Sequence, residues 1–190
     1  MEALIGFGAA AVVGYFLGAI NPAVLISRAR GIDLRQIGSG NPGASNAGRA
    51  LGRKTGVLVA LLDVAKGAVP AALFALGDHR WGLVAGAFAV AGHITSPWLK
   101  GKGGKGVATA AGAILGVQPL WVLVVLATWA LVLALSRWIA LASVCAAASV
   151  LGCALLAGED RVWAAAIAVV VIGRHYGNIR TRLAQGRRSG

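Results

Sequence analysis

The sequence predicts an all-α, polytopic integral membrane protein of seven transmembrane helices, and three observations predict it. The 190-residue chain is 58% hydrophobic and only 13% charged, with a mean hydropathy of +0.77. A soluble domain of this length cannot hide so much apolar surface, whereas lipid-facing helices need not. The apolar residues fall into long runs divided by short polar segments. Most of the 18 basic and 6 acidic residues, net +12, sit in those segments. That is the pattern of cationic loops retained on the cytoplasmic side, and it argues against nucleic acid as a partner. Residues 1–190 read as a single membrane-embedded domain without a long internal repeat or a linker.

The first span is Ala3 to Ser27, 25 residues without a charge, which is long enough to cross. Met1-Glu2 provides no basic n-region and no small-residue cleavage site follows, so this span reads as retained and not as a signal peptide. A polar segment runs from Arg28 to Lys54. Thr55 to Gly77 is the second span, although it contains Asp63 and Lys66; Trp81 to Leu99 is the third and carries His93. Gly106 to Ser136 is charge-free for 31 residues, too long for one span of ~20 and short of two. A break at Pro119 makes it two short helices. Trp138 to Gly158 is the sixth span, with Cys145 and Cys153 as small buried residues of one apolar run. Val162 opens the last, which reaches Arg174 and His175.

Charge decides the count. With seven spans and the amino terminus outside, Arg28, Arg30, Arg35, Arg49, Arg53 and Lys54 lie in the cytoplasm. So do Lys100, Lys102, Lys105, Arg137 and the tail with Arg180, Arg182, Arg187 and Arg188, which leaves only Arg80 and Arg161 outside, near Asp78, Glu159 and Asp160. Six spans would expose the first basic loop or the basic tail. The expected location is the cell membrane, with the carboxyl terminus cytoplasmic. The Gly-xxx-Gly pairs Gly14/Gly18, Gly82/Gly86 and Gly112/Gly116 would let helices approach closely.

Lys100 to Gly106 packs three lysines and four glycines into seven residues. Glycines let consecutive backbone N–H groups turn inward as an anion-binding nest, and lysines add full charges. One or two charges would suffice for orientation, so a merely solvated loop explains the glycines poorly. Upstream, Ser39-Gly-Asn-Pro-Gly-Ala-Ser-Asn46 with Arg49 reads equally as a turn-rich connector or as a cradle for a phosphate and a polar substrate. Gly38–Gly43 and Gly101–Gly106 satisfy G-x-G-x-x-G, but neither follows a strand in a βαβ unit; neither segment has the Walker Gly-Lys-Ser/Thr. Gly43-Ala-Ser45-Asn-Ala47 lacks the last glycine of a nucleophile elbow.

Asp63 and Lys66, three apart on one helix face, read first as an ion pair turned into the bundle. His93 reads as a hydrogen-bonded structural histidine; three histidines without neighbouring carboxylates or thiols do not suggest a metal site. His175 and Asn178 share a face if the last helix continues through them, flanked by Arg174 and Arg180. A histidine beside cationic groups at a helix end suits a polar-substrate site.

Together these residues resemble the bacterial acyl-phosphate:glycerol-3-phosphate acyltransferases, the PlsY family. Its three signatures are similar to Ser39–Asn46 with Arg49, to Gly92-His-Ile-Thr-Ser-Pro97 leading to Lys102-Gly-Gly-Lys-Gly-Val-Ala-Thr109, and to His175-Tyr-Gly-Asn-Ile179 with Arg182-Leu183. Three positions depart from the usual pattern: Ser45 stands for Thr, Tyr176 for the Arg that commonly follows the histidine, and a basic tail after Gly186 for an acidic one. The resemblance implies seven helices, a cytoplasm-facing site at the membrane boundary, and acyl transfer from acyl phosphate to the 1-hydroxyl of sn-glycerol 3-phosphate. The products would be lysophosphatidate and phosphate. Acyl phosphate is already activated, so no cofactor is implied. Ser39 and the backbone of 40–43, with Lys105, would take the acyl-phosphate head. Arg49, His175 and Asn178 would hold glycerol 3-phosphate. Gly40, Asn41, Gly43, Ser45, Asn46, Lys102, Gly103, Gly104 and Thr109 would line the substrates, and the acyl chain would lie among helices and membrane lipid. Either His175 or a substrate phosphate would accept the proton. The alternative class is a membrane carrier of an organic phosphate; a scaffold with basic loops on anionic lipid is a weaker one.

Overall fold

The computed structural model describes residues 1–186, and these are helical without a strand. Arg187 and Arg188 of the expected basic tail lie outside the described residues. Among the described residues nine α-helices follow in order: α1 Glu2–Ala19, α2 Pro22–Arg28, α3 Ala44–Leu51, α4 Arg53–Ala75, α5 His79–Thr95, α6 Val107–Val117, α7 Pro119–Ser136, α8 Ile139–Ala157 and α9 Arg161–Gly186. Short 3₁₀ turns occupy Leu34–Gln36 and Pro97–Leu99. Among the described residues six helical stretches are long and apolar enough to cross a membrane; α1 with α2 counts as one. Their outer faces carry exposed Leu, Val, Phe and Ile, as lipid-facing surfaces must.

The break expected at Pro119 is present: α6 ends at Val117 and α7 starts at Pro119. Proline is comfortable at the first position of a helix, where its missing N–H costs nothing. The 11-residue α6 rises roughly 16 Å, about half of a bilayer's hydrocarbon thickness. The first span differs from the sequence expectation. It is interrupted at Ile20-Asn21, where Asn21 caps α2 by accepting from the Val24 N–H at 2.9 Å and Pro22 opens the new helix.

The chain forms two compact units, Met1–Pro119 and from Leu120 onward. In the first, α1 packs on α5 and α4 packs on α5 and α6. A Cβ added at Gly14 or Gly18 would meet the backbone of Ala85 or Ala89, and one at Gly112 or Gly116 would meet the backbone of Val64 or Ala68. The Gly-xxx-Gly pairs therefore buy helix contact at backbone distance, where dispersion and not hydrophobicity drives association. At one end of this unit Ala23, Leu34, Ala47 and Val59 form a small buried cluster. It seats α3 and the loop before it against α2 and α4. In the second unit α8 packs on α9. Cys145 and Cys153 of α8 are half-buried free thiols.

Candidate active site

The first glycine-rich segment is held as a rigid turn by its own asparagine. Asn46 is buried, its Oδ1 accepts from the Ser39 N–H at 3.2 Å, and its Nδ2 donates to Leu34 O at 3.0 Å and Ile37 O at 2.9 Å. Both amide hydrogens of Asn46 are thus committed to the loop, so its part is to shape the cradle from beneath. Gly38 and Gly40 take φ of +60° and +67°, a region that side chains avoid. Gly40 N–H donates to Ile37 O at 3.0 Å and Gly43 N–H to Asn41 O at 2.9 Å. Of the backbone of residues 40–43 expected to cradle an anion, these two donors are spent internally. What the loop offers instead is the start of α3, whose first-turn N–H groups no helix can satisfy by itself. Ser45 in that turn is exposed, as is Ser39; Asn41 is partly buried and Gly43 buried.

Charge on this rim is unevenly available. Arg35 is paired with Asp33 at 2.8 Å. The side-chain hydrogen bond from Arg35, and then its backbone N–H, hold the Asp33 carboxyl down at about 2. Arg30 Nη1 donates to Thr55 Oγ1 at 3.1 Å. Arg49 is different. It is exposed, and its Nη2 donates to the Ser39 hydroxyl at 3.4 Å. A neutral oxygen leaves the guanidinium charge uncompensated, and among the described residues no carboxylate lies within ion-pair distance of it. Ser39 and Arg49, ten residues apart in sequence and expected on different substrates, are brought together.

The lysine–glycine loop folds otherwise than as a backbone nest. The N–H groups of Lys100, Gly101 and Lys102 donate to Pro97 O, Ser96 O and Leu99 O, and those of Gly103 and Gly104 to Ile94 O and His93 O, at 2.9–3.1 Å. The physical reason is the end of α5 at Thr95, which leaves its last carbonyls without intrahelical partners. The Gly103-Gly104 backbone lies on them and satisfies two. A Cβ at Gly103 would meet the carbonyls of His93 and Ile94, and one at Gly104 the His93 imidazole. The glycines serve this contact, and the loop's charge lies on the lysine side chains. Lys100 and Lys102 are exposed and Lys105 partly buried. Thr109 is fully buried within α6, away from the exposed rim.

In the second unit α9 does continue through His175 and Asn178, which share one face. His175 is buried, and its Nδ1 lies 2.8 Å from Val171 O. A carbonyl only accepts, so Nδ1 carries the proton and Nε2 of the neutral ring is the acceptor. Asn178, Arg174 and Arg180 are exposed. Arg182 stacks on Trp138, its guanidinium carbon 5.1 Å from the ring centre.

Sequence reasoning missed Asn21, whose Nδ2 donates to Pro42 O at 3.0 Å and so ties the membrane helices to the first loop. The available signal was an Asn-Pro dipeptide inside an apolar run, a strong breaker pair.

A model of the glycerol-3-phosphate acyltransferase family matches residues 8–186. The glycerol-3-phosphate acyltransferase of Geobacter sulfurreducens is 44% identical over 184 residues, 92% of this chain and 92% of that protein. Its counterpart from Aquifex aeolicus is 40% identical over 182 residues, 93% and 94% of the two chains. Two crystal structures of PlsY (YgiH), an integral membrane glycerol 3-phosphate acyltransferase, are similar to this fold. The glycerol 3-phosphate form has a TM-score of 0.90 at 37% identity and the lysophosphatidic acid form 0.88 at 36%, each covering 98% of this chain and 94% of that one. A multi-pass membrane acyltransferase of phospholipid synthesis is the class so defined, and the carrier alternative falls away. The chain belongs to the glycerol-3-phosphate acyltransferase family.

Proposed function

We propose that this enzyme transfers a fatty acyl group from acyl phosphate to the 1-hydroxyl of sn-glycerol 3-phosphate, releasing lysophosphatidate and inorganic phosphate. The observation that carries the reading is the exposed Ser39–Arg49 pair, a hydroxyl 3.4 Å from a guanidinium whose charge no carboxylate among the described residues compensates. Such a pair suits a place where two phosphorylated substrates meet, the hydroxyl donating to one phosphate and the guanidinium forking onto the other. Ser39, the first turn of α3 and Lys105 take the acyl-phosphate head. Arg49, His175 and Asn178 take glycerol 3-phosphate, with Lys102 and Lys100 adding charge.

The chemistry asks for positioning and charge stabilisation. The glycerol oxygen attacks the acyl carbon, and the bond from that carbon to the phosphate oxygen breaks. Phosphate leaves with the bonding pair, its growing charge met by Lys105. The hydroxyl proton goes to Nε2 of His175 or to a phosphate oxygen. The donor is tested with purified protein in detergent, labelled glycerol 3-phosphate and either acyl phosphate or acyl-CoA. Lysophosphatidate is expected from acyl phosphate alone; turnover with acyl-CoA as the sole donor, and none with acyl phosphate, sinks the reading.

The chain crosses the cell membrane seven times in this proposal, with α6 as a short crossing, the amino terminus outside, and both glycine-rich loops and the carboxyl terminus in the cytoplasm. The support is the lysine and arginine bias. Single cysteines placed at Arg35 and Asp160 distinguish the orientations: the first should react with a membrane-impermeant thiol reagent only in opened cells, the second in intact ones. The reverse labelling pattern excludes this topology.

A further inference from the structure

The interruption between α1 and α2 collects polar side chains that the reaction does not use. Breaking a helix inside a membrane leaves carbonyls that water cannot satisfy. Ser96 Oγ donates to Ala19 O at 2.8 Å, and Lys66 Nζ to Ile20 O at 2.7 Å. Lys66 Nζ also lies 2.9 Å from Asp63 Oδ1, and that oxygen lies 3.5 Å from His93 Nδ1. Asp63 and His93 are only 3% and 4% exposed. The ion pair expected from sequence is therefore one part of a longer series of contacts. Its far end is the imidazole of His93, which fills the space a Cβ on Gly104 would need, while the Gly104 N–H donates to His93 O at 3.1 Å. Lys105 is the next residue.

We propose that Asp63, Lys66 and His93 are positioning residues that set the Gly103-Gly104 backbone, and through it Lys102 and Lys105, against the anchored break between α1 and α2. The proposal rests on reading residues 100–109 as the phosphate-handling loop. A buried ion pair is weak evidence for stability, because desolvation offsets most of the attraction; fixing one geometry is the better-attested use. Here the geometry is that of a loop whose backbone donors are all turned inward from Lys100 to Gly104. Such a loop presents its charge through side chains alone, so their placement depends on where the glycines rest. Asp63 Oδ1 faces the ring Nδ1 at 3.5 Å as an electrostatic contact, the ring limits Gly104, and Lys66 ties Asp63 to Ile20 O.

The test uses His93→Asn and His93→Gln in the full-length protein. Both are neutral and leave the Asp63–Lys66 pair in place. Neither restores a ring against Gly104. KM and kcat for both substrates are measured together with melting temperature and amide hydrogen exchange across residues 101–106. Both variants should melt within about 3 °C of the parent, a small change for a chain of this size. KM for a phosphorylated substrate should rise about tenfold or more, as expected when a binding group is displaced by roughly an ångström. Exchange should accelerate at Gly103 and Gly104 while α8 and α9 stay unchanged. Gly104→Ala with His93→Ala provides a second arm: the added methyl collides only when the ring is present, so the double variant should be no worse than the poorer single. Parental KM with parental exchange overturns the proposal. So does a uniform rise of exchange through α4 and α5 with a fall in melting temperature, or strict additivity of positions 93 and 104. Absence of acyl transfer in the parent would defeat the reading of the reaction alone; the exchange and melting measurements need no substrate and decide the positioning role separately.

Discussion

Lys105→Ala should remove most of the activity while leaving the helices in place. The substitution deletes a cation from the loop expected to meet the departing phosphate, and each charge-assisted bond to such a dianion is worth about 1.5–3 kcal/mol, or roughly 10- to 150-fold in kcat/KM. Arg49→Ala should lose a similar factor. Its guanidinium already reaches for an oxygen, the Ser39 hydroxyl at 3.4 Å, and no carboxylate among the described residues shares it. Arg35→Ala is the control. Arg35 sits on the same rim with the same charge, but Asp33 holds it at 2.8 Å, so its loss should alter the rate little. The measurement is kcat/KM in detergent with acyl phosphate and glycerol 3-phosphate, beside the melting temperature of each variant. A well-folded Lys105→Ala or Arg49→Ala protein with parental kcat/KM would refute these roles.

The second large effect is expected at His175. His175→Ala should damage turnover, and Asn178→Ala should mainly raise the glycerol 3-phosphate requirement. The imidazole donates from Nδ1 to Val171 O at 2.8 Å, which fixes the ring; in the proposed reaction Nε2 is the nitrogen that meets substrate. Two roles remain for that atom, acceptor of the hydroxyl proton or hydrogen-bond partner of substrate. His175→Asn and His175→Gln separate them, because an amide can hydrogen-bond and cannot take a proton at neutral pH. Substantial activity in the amide variants assigns the proton to a substrate phosphate. Activity as low as in His175→Ala, with melting temperature preserved, assigns it to His175. Full activity in His175→Ala removes the third signature from the site.

Much of the architecture was legible because lipid imposes a simple rule. Backbone groups in hydrocarbon must be paired within helices, so the apolar runs of this chain translate directly into α4, α5, α7, α8 and α9. Pro119 marked the division of the 31-residue run, and the Gly-xxx-Gly pairs marked the contacts at Ala85, Ala89, Val64 and Ala68. Ser39 and Arg49 were legible as members of one segment, but not their direct contact, which the short glycine turn and α3 make by returning residue 49 toward residue 39. The break at Ile20-Asn21 was not. Hydropathy averages over one asparagine and one proline, and only the partners Ser96, Lys66 and Pro42 make an interruption there tolerable.

The lysine–glycine loop marks the boundary between the two kinds of information. Composition alone determined that this chain lives in a membrane, that its charge collects on loops, and that residues 100–106 combine cations with unusual backbone freedom. These are additive, local properties of side chains, and additive properties survive being read in one dimension. Where the loop's N–H groups point is not local. It depends on α5 ending at Thr95 and leaving carbonyls to be satisfied, and on an imidazole that only Gly104 can accommodate at that distance. Tertiary structure thus decided that Gly103 and Gly104 pack on the end of α5 while Lys100 and Lys102 stay exposed. Asp63, Lys66 and His93 gain their meaning the same way: 30 residues separate Asp63 from His93 in sequence and 3.5 Å separates their side chains in space, because a buried charge must find its partners wherever the fold puts them.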